Sequence, residues 1–127
     1  MIGDGPQLKT LKEKFKEVKF LGNKNHYQVA EYLSQSDVFV FPSLTDTFGV
    51  VLIEALSMGV PIAAFPVPGP IDIINNKKIF TLNKNLMTSC RKALKVKKID
   101  CINAAKSYTW ENCATIFLKN ICINKKP

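Results

Sequence analysis

The amino-acid sequence predicts an α/β fold built on a doubly wound parallel sheet. Short apolar runs alternate with segments of helical periodicity along the 127-residue chain, as expected of strand–helix–strand units. The runs at 37–41 and 61–65 are almost wholly apolar, which is typical of strands covered by helices on both faces. A chain of this length fits one modest domain, so we expect residues 1–127 to form a single unit.

The periodicity also places the elements along the chain. In order, they are a turn at 3–6, a helix at 7–16, a strand at 18–21, a helix at 26–35, a strand at 37–41, a helix at 48–58, a strand at 61–65, a turn at 71–74, and helices at 86–96, 99–106 and 110–120. In the first helix, Leu8, Leu11 and Phe15 recur at helical spacing after Pro6, a residue suited to a first helical turn. Gly22 then ends the first strand.

The next elements have equally local signals. Tyr27, Ala30 and Leu33 lie on one face of the second helix. Pro42 stops the second strand and Gly59 ends the helix at 48–58.

The last third of the chain is predicted to be mainly helical. The proline-rich segment 66–70 can be neither helix interior nor central strand. Three apolar-periodic segments follow it, and we expect Trp110 to be a packing anchor at the start of the last helix.

The net charge of +8 and the cysteines exclude several classes of protein. Only Arg91 is an arginine among 18 basic residues, so the chain lacks the arginine-rich surface with interleaved exposed aromatic side chains that nucleic-acid binding favours. The lysines are expected on solvated helix faces, with a surface for anionic lipid headgroups as the alternative. No apolar run approaches the roughly 20 residues of a membrane span, and no secretory signal is visible. We therefore expect a cytoplasmic chain, with peripheral attachment to the cytoplasmic membrane face as the alternative.

The four cysteines have no metal-binding or redox spacing, and the single His26 lies far upstream. We expect these cysteines to be reduced packing residues, and we predict no metal site. They are Cys90, Cys101, Cys113 and Cys122.

The helix at 48–58 carries a carboxylate in an otherwise apolar run. Glu54 and Ser57 are its only polar side chains, so we expect this helix to be covered on nearly every side. A carboxylate there is costly unless something satisfies it. The sequence leaves two ways open in which the Glu54 carboxylate can be satisfied. One is a bound ligand, and the other is a lysine or a backbone donor of the protein itself.

The residues just before this helix predict an anion site. Asp46 or Thr47 can cap the helix, which would leave the backbone N–H groups of Phe48, Gly49 and Val50 free for a phosphate. Asp46 precedes Glu54 by eight residues, about 12 Å along a helix axis. Two carboxylates at this separation can accept hydrogen bonds from sugar hydroxyls on either side of a phosphate. The sequence therefore predicts a nucleoside diphosphate sugar as the ligand.

Four segments resemble, in order, the C-terminal half of the GT-B glycosyltransferases, above all the retaining family 4 enzymes with the glycosyl transferases group 1 domain. They are residues 2–6, 18–22, 37–43 and 46–61. Residues 45–49 and 66–72 are most similar to the mannosyltransferase-like subgroup. The resemblance implies a Rossmann-like donor-binding domain that is incomplete, because the acceptor domain and the first strand of the family lie upstream of the region matched here.

The resemblance also implies roles for single residues. Its signature is a Glu, seven residues and a second Glu. Asp46 and Glu54 match this spacing, with Asp in place of the first Glu as in the resembled subgroup, so both are candidate catalytic residues. Glu54 would bind the ribose hydroxyls of the donor, and Asp46 the hydroxyls of the transferred sugar. Thr47 lies beside Asp46 and is a further donor-site candidate.

The remaining implied donor contacts are made mainly by backbone groups. The N–H groups of Phe48, Gly49 and Val50 would lie near the pyrophosphate, and Gly22 near the base. Gly3 and Gly5 would face the donor phosphate, although a tight turn explains both glycines equally well.

The predicted function is transfer of a sugar from a nucleoside diphosphate sugar to a glycan or lipid acceptor with retention, without a metal or other cofactor. The family's arginine and lysine that grip the pyrophosphate lie upstream of the turn at 3–6. The alternative is therefore a non-catalytic fragment, inactive without a partner chain carrying the N-terminal half. Two further alternatives are a basic nucleic-acid-binding module and a nucleotide-sugar epimerase of the same fold.

Overall fold

The computed structural model of the protein describes residues 1–121, which contain seven helices and two strands. In order these are α1 (Leu8–Lys14), α2 (His26–Ser34), β1 (Phe39–Phe41), α3 (Val50–Ser57), β2 (Ile62–Ala64), α4 (Pro70–Ile73), α5 (Leu86–Ala93), α6 (Lys98–Ala105) and α7 (Trp110–Asn120). Each predicted helix forms, with ends within a few residues of those expected.

The two strands pair in parallel, with Phe39 opposite Ile62 and Phe41 opposite Ala64. The α5 helix packs on β2, and α3 contacts α2, α4, α6 and β2. The predicted α/β class with a parallel sheet is thus confirmed.

The predicted strand at 18–21 is wrong, because this segment lacks a partner long enough to form a ladder. It runs beside the first residues of the chain, where the Leu21 N–H donates to the Met1 carbonyl at 2.9 Å. The Gly3 N–H donates to the Gly22 carbonyl, also at 2.9 Å. Gly22 has a positive φ of 69°, so the chain turns away after this contact.

The edge of β2 that faces away from β1 is closed by a loop and by α5. The Ile62 carbonyl accepts a hydrogen bond from the Thr81 hydroxyl. The Ala64 N–H donates to Ser89 Oγ at 3.0 Å, and the Ala64 carbonyl accepts the Asn83 N–H at 3.3 Å. Since Thr81 and Ser89 are both buried, the backbone groups along this edge are satisfied without a further strand.

The core lies between α3, β2 and the segments that pack on them. Its fully buried side chains come mainly from α3, β2, α4 and α6; they include Leu52, Leu56, Val60, Ile62, Ile73, Ile74 and Cys101. The first helices contribute less, since α1 buries none of its residues and α2 buries only Leu33. Tyr27 was expected beside Leu33 but is 89% exposed, because α2 turns Val29 and Leu33 toward the core.

The cysteines are free thiols in three different environments. Cys101 is fully buried and Cys90 is half-buried, as expected of packing residues. The prediction is wrong for Cys113, which is exposed because α7 buries none of its residues. Trp110, expected to be a packing anchor, is exposed on α7 for the same reason. Cys122 lies outside the described residues.

Candidate functional site

The loop before α3 is held by the carboxylate of Asp46. Its Oδ1 accepts the N–H of Phe48, two residues on, at 3.0 Å. Carboxylates commonly stabilise turns in this way. The predicted cap of α3 by Asp46 or Thr47 is therefore wrong: the N-cap residue is Gly49, and no side chain caps the helix. The N–H of Phe48 is likewise not free, because Asp46 already accepts its hydrogen bond.

Gly49 sets the direction in which the chain enters α3. Its φ of 77° and ψ of 60° are left-handed, a conformation that favours glycine. A Cβ at this position would lie 2.8 Å from Leu52 Cδ1 and 3.6 Å from Asp46 Oδ1. Within residues 1–121, neither Gly49 nor Val50 donates its N–H to a protein acceptor. These two of the three predicted backbone donors thus stay available to a ligand.

The proline-rich segment lies directly against this loop. At Gly69, where φ is 85°, a Cβ would lie 3.3 Å from the backbone N, C and O atoms of Phe48. The Ile71 and Ile73 N–H groups begin the short α4 by donating to Val67 and Gly69. The segment around Gly69 therefore packs against the Phe48 backbone as part of the same site.

Glu54 lines a groove between α2 and α3. The groove encloses a cavity of about 210 Å³, and the other residues that line it are His26, Val29, Ala30, Leu33, Ser57 and Met58. Glu54 is half-buried, so the expectation of a helix covered on nearly every side is wrong. Phe48, Val50 and Met58 are 41–61% exposed, so the elements around α3 cover it only in part.

The carboxylate of Glu54 has no protein donor among the described residues. Within residues 1–121 the ion pair is between Lys78 and Asp100, so it does not involve Glu54. The Ser57 hydroxyl donates to the backbone carbonyl of Glu54, and no described group donates to its carboxylate. The sequence leaves open whether a ligand or a donor of the protein satisfies this carboxylate. The described residues supply no lysine or backbone donor for it. The carboxylate points into a groove with its acceptor positions available.

His26 is the residue that the sequence reading missed at this site. It occupies the first turn of α2, after Asn25, whose side chain accepts the Gln28 N–H at 3.0 Å. Because Leu33 follows His26 by seven residues, both lie on the helix face that turns toward α3. That spacing is visible in the sequence, but it becomes informative only once α3 is known to be the neighbour.

The N-terminal glycines lie in a different place. Gly3 and Gly5 line a cavity of about 410 Å³, together with Asp4, Phe20 and neighbouring residues. Gly22 joins them through its hydrogen bond to Gly3. The structure thus brings Asp46, Phe48 and Gly49 together, places Glu54 with His26, and holds the N-terminal glycines in a cavity that neither Asp46 nor Glu54 lines.

Comparison with known proteins shows which protein family matches this chain. Residues 1–105 match the family described as "Glycosyl transferases group 1". The chain is 35% identical over 80 residues to the phosphatidylinositol N-acetylglucosaminyltransferase gpi3 subunit of Schizosaccharomyces pombe, covering 58% of this chain and 18% of that protein. It is 36% identical over 75 residues to a GDP-mannose-dependent alpha-mannosyltransferase of Corynebacterium glutamicum, covering 59% of this chain and 18% of that protein. The chain thus spans less than a third of the length of these curated relatives.

Solved structures agree at the level of the fold. The pneumococcal O-GlcNAc transferase GtfA, solved with UDP and GlcNAc, superposes with a TM-score of 0.69 at 18% identity. The superposition covers 93% of this chain and 28% of GtfA. At this identity the likeness concerns the fold alone.

Proposed function

The chain belongs to the glycosyl transferases group 1 family, and from that premise we propose that it forms the donor-binding region of a glycosyltransferase. The proposed reaction transfers a sugar from a nucleoside diphosphate sugar to a glycan or lipid acceptor with retention of configuration. One observation carries the proposal. The half-buried Glu54 carboxylate faces a groove and accepts no hydrogen bond from any group in the described part of the chain.

Glu54 is suited to binding the ribose of the donor. Its two oxygens can accept hydrogen bonds from both vicinal hydroxyls, which are donors at the right spacing for one carboxylate. The groove walls of Val29, Ala30 and Leu33 are apolar and suit the flat face of a base. His26 stands at the start of α2 in the same groove, so we assign it a base-side contact rather than a catalytic role.

Asp46 and the start of α3 are suited to the sugar and the diphosphate. One Asp46 oxygen holds the loop through Phe48, which leaves the other oxygen for a sugar hydroxyl. The N–H groups of Gly49 and Val50 are proposed to meet the diphosphate, where the positive end of the helix dipole favours an anion. With Phe48 engaged, two backbone donors remain of the three inferred from the sequence, and Thr47 is exposed beside them.

The donor and acceptor class follows from what the relatives are named for. The relative from C. glutamicum is named as GDP-mannose-dependent, and that from S. pombe for phosphatidylinositol. A nucleotide-sugar donor and a lipid or glycan acceptor are therefore proposed for this chain. Retention, independence of metals and a cytoplasmic location remain predictions from the sequence.

A second candidate is binding of the donor without transfer, unless a partner chain completes the site. Among residues 1–121, no lysine or arginine lines the groove at Glu54 or the cavity at Gly3. A leaving diphosphate needs positive charge or a metal to stabilise it. Transfer by the purified chain with a nucleotide sugar and a phosphatidylinositol acceptor would support the first candidate, and binding without transfer would support the second.

The binding step is tested by thermal melts with millimolar UDP or GDP, followed by far-UV circular dichroism. A ligand that binds only the native state raises the midpoint. We expect one of the two nucleotides to do so, and Glu54→Gln to weaken its binding about tenfold, the effect of losing a charged hydrogen-bond acceptor.

Glu31→Gln is the matched control, since it removes the same charge from an exposed position on α2. It should leave nucleotide binding unchanged. If Glu54→Gln folds and binds as tightly as the wild type, or if neither nucleotide moves the midpoint, the proposed donor site is wrong.

A further inference from the structure

Three prolines stiffen the segment that packs against the loop before α3. They are Pro66, Pro68 and Pro70, and each of them fixes its φ at about −65° and lacks an N–H group. A residue that precedes a proline is restricted as well, so Val67 and Gly69 between them also lose conformational freedom. The segment 66–70 therefore has few conformations open to it.

Gly69 is the point at which this segment meets the backbone of the loop. It is buried, with φ 85° and ψ −77°, a conformation that residues with a Cβ avoid. A Cβ on Gly69 would lie 3.3 Å from each of the backbone N, C and O atoms of Phe48. Such contacts are tighter than most that real Cβ atoms make, so a side chain at position 69 would push the two segments apart.

The α4 side of this contact is anchored to the core. Pro70 and Ile73, the first and last residues of α4, are both buried. The Gly69 carbonyl accepts the N–H groups of Asp72 and Ile73, each at 3.1 Å. Gly69 therefore moves only if α4 leaves its place in the core.

Tyr108 ties α4 to the junction between α6 and α7. Its hydroxyl donates to the Asp72 carbonyl at 3.4 Å, and the same carbonyl accepts the Asn75 side-chain amide at 3.0 Å. Burial, and then the Asp72 carboxylate, raise the pKa of Tyr108, so its hydroxyl keeps the proton that it donates. The position of α4 is thus fixed by a second element besides the core.

The Phe48 side of the contact is the one more easily displaced. Leu44 and Phe48 are exposed, and the Phe48 N–H donates to Asp46 of the same loop. If the two segments are pushed apart, we therefore expect the loop to move and α4 to stay. Gly49 would move with Phe48, because it is the next residue along the chain.

We propose that Gly69 is a positioning residue of the donor site. Because it has no side chain, the stiff proline segment reaches the Phe48 backbone and holds it in place. Phe48 in turn sets where the N–H groups of Gly49 and Val50 stand relative to the diphosphate. This inference rests on the proposed function and adds to it a residue that touches no part of the donor.

The ribose end of the proposed site is independent of this contact. Neither Gly69 nor Phe48 lines the groove that contains Glu54. A shift of Phe48 should therefore weaken a ligand that carries a diphosphate and spare a nucleoside that has no phosphate. A general loss of structure would weaken both ligands alike.

The test is Gly69→Ala in the full chain. The variant is titrated with whichever of UDP and GDP raises the wild-type melting midpoint, and with the matching nucleoside, uridine or guanosine. Ligand-observed NMR below the midpoint of every variant measures both. We expect the dissociation constant of the diphosphate to rise about tenfold, the effect of losing one hydrogen bond to a charged group. That of the nucleoside should keep its wild-type value.

Gly59→Ala is the matched control. Gly59 also has a positive φ, 76°, and a Cβ there would lie 3.3 Å from the Cβ of Lys98. The substitution thus adds the same methyl group at a similarly tight position, but the methyl group presses on side chains of α6 and not on Phe48. This variant should lose stability and still bind the diphosphate like the wild type.

Tyr108→Phe is a second variant that decides the question if Gly69→Ala does not fold. It keeps the ring and removes the hydroxyl that holds the Asp72 carbonyl. We expect the dissociation constant of the diphosphate to rise roughly threefold, as for the loss of a hydrogen bond between uncharged groups, with no change for the nucleoside. Far-UV circular dichroism checks that each variant folds.

The other outcomes overturn the inference. Wild-type affinity for the diphosphate in folded Gly69→Ala, or in Tyr108→Phe if the first variant does not fold, would remove the positioning role. Equal losses for diphosphate and nucleoside, or for Gly69→Ala and Gly59→Ala, would assign the effect to strain alone. A wild-type chain that binds neither nucleotide would remove the proposed donor site itself, a failure seen before any variant is made.

Discussion

Gly49 connects the two carboxylates of the candidate site through the direction in which α3 starts. Its left-handed conformation turns the chain after the Asp46–Phe48 hydrogen bond. The α3 helix then carries Glu54 to the groove beside α2. Single residues in this loop therefore decide where both carboxylates stand, and the loop is sensitive to small changes.

Replacement of Gly49 by alanine should lower the free energy of unfolding by about 2 kcal/mol. The left-handed conformation costs a residue with a Cβ about 1–2 kcal/mol, and the added Cβ would crowd the buried Leu52. Gly5→Ala is the control, because a Cβ there meets nothing within 4 Å and its φ is not positive. Urea denaturation measures the free energy of unfolding of both variants. Equal values would show that a side chain at position 49 causes no strain.

Asp46 and Glu54 can be identified from the sequence, because a carboxylate in an apolar helix and an acidic residue before that helix are local signals. It does not find the conformation of the loop between them. Asp46 accepts from Phe48 within a turn, and that local bond competes with the helix cap that the sequence predicts. The neighbour of Glu54 across the groove, His26, depends on how α2 packs against α3 and has no local signal.

The elements that the sequence predicts correctly are those with a local signal that does not depend on neighbouring elements. The strands β1 and β2 are apolar on both faces, so both can be read without knowing their neighbours. The segment at 18–21 is apolar except for Lys19 but forms no strand, because pairing depends on a partner and not on propensity alone. Trp110 fails for a related reason, since an apolar helix face does not reveal whether another part of the protein covers it.

Replacement of Ser89, which connects α5 to β2, by alanine should lower the free energy of unfolding by about 1–3 kcal/mol. The buried Ser89 hydroxyl accepts the Ala64 N–H at 3.0 Å and lies 2.9 Å from the Thr81 carbonyl oxygen. Its loss would leave a buried backbone N–H without a partner, which costs about that much. Ser107→Ala is the control, because Ser107 donates to the Ala104 carbonyl at the exposed end of a helix. Urea denaturation that finds the two variants equally stable would contradict this role.

At the scale of the whole molecule, stability is distributed unevenly between the middle of the described chain and its two ends. The core around α3, β2 and α6 contains most of the fully buried side chains, whereas α1 and α7 bury none of their residues. Cys101 lies in that core and Cys113 on α7, so the two thiols report on regions of different protection.

Cys113 should react with iodoacetamide in the native protein at pH 8, while Cys101 reacts only through unfolding. Burial, and then the nearby Asp100 carboxylate, raise the pKa of Cys101 from 9.0 to about 11, so its thiol stays protonated and uncharged at pH 8. Peptide mapping by mass spectrometry follows both sites. Equal labelling rates would contradict a stable core around α6.

The same pKa shift makes the stability of the fold depend on pH. The folded state holds the Cys101 proton more tightly than the unfolded chain, so this contribution is complete below pH 9 and is lost as the pH rises toward about 11. Urea denaturation over this range should show a decline that Cys101→Ala reduces. A decline of equal size in the variant would assign it to other groups.

The closed edge of β2 also bears on self-association. Cross-β aggregates grow when each copy offers two open strand edges, one to accept a neighbour and one to pass the pairing on. Here the side chains of Thr81 and Ser89 and the backbone of Asn83 occupy the polar groups on one side of the two-stranded sheet. Pairing through β1 can therefore join two copies, but the sheet formed within residues 1–121 gives a third copy no edge on which to continue a fibril.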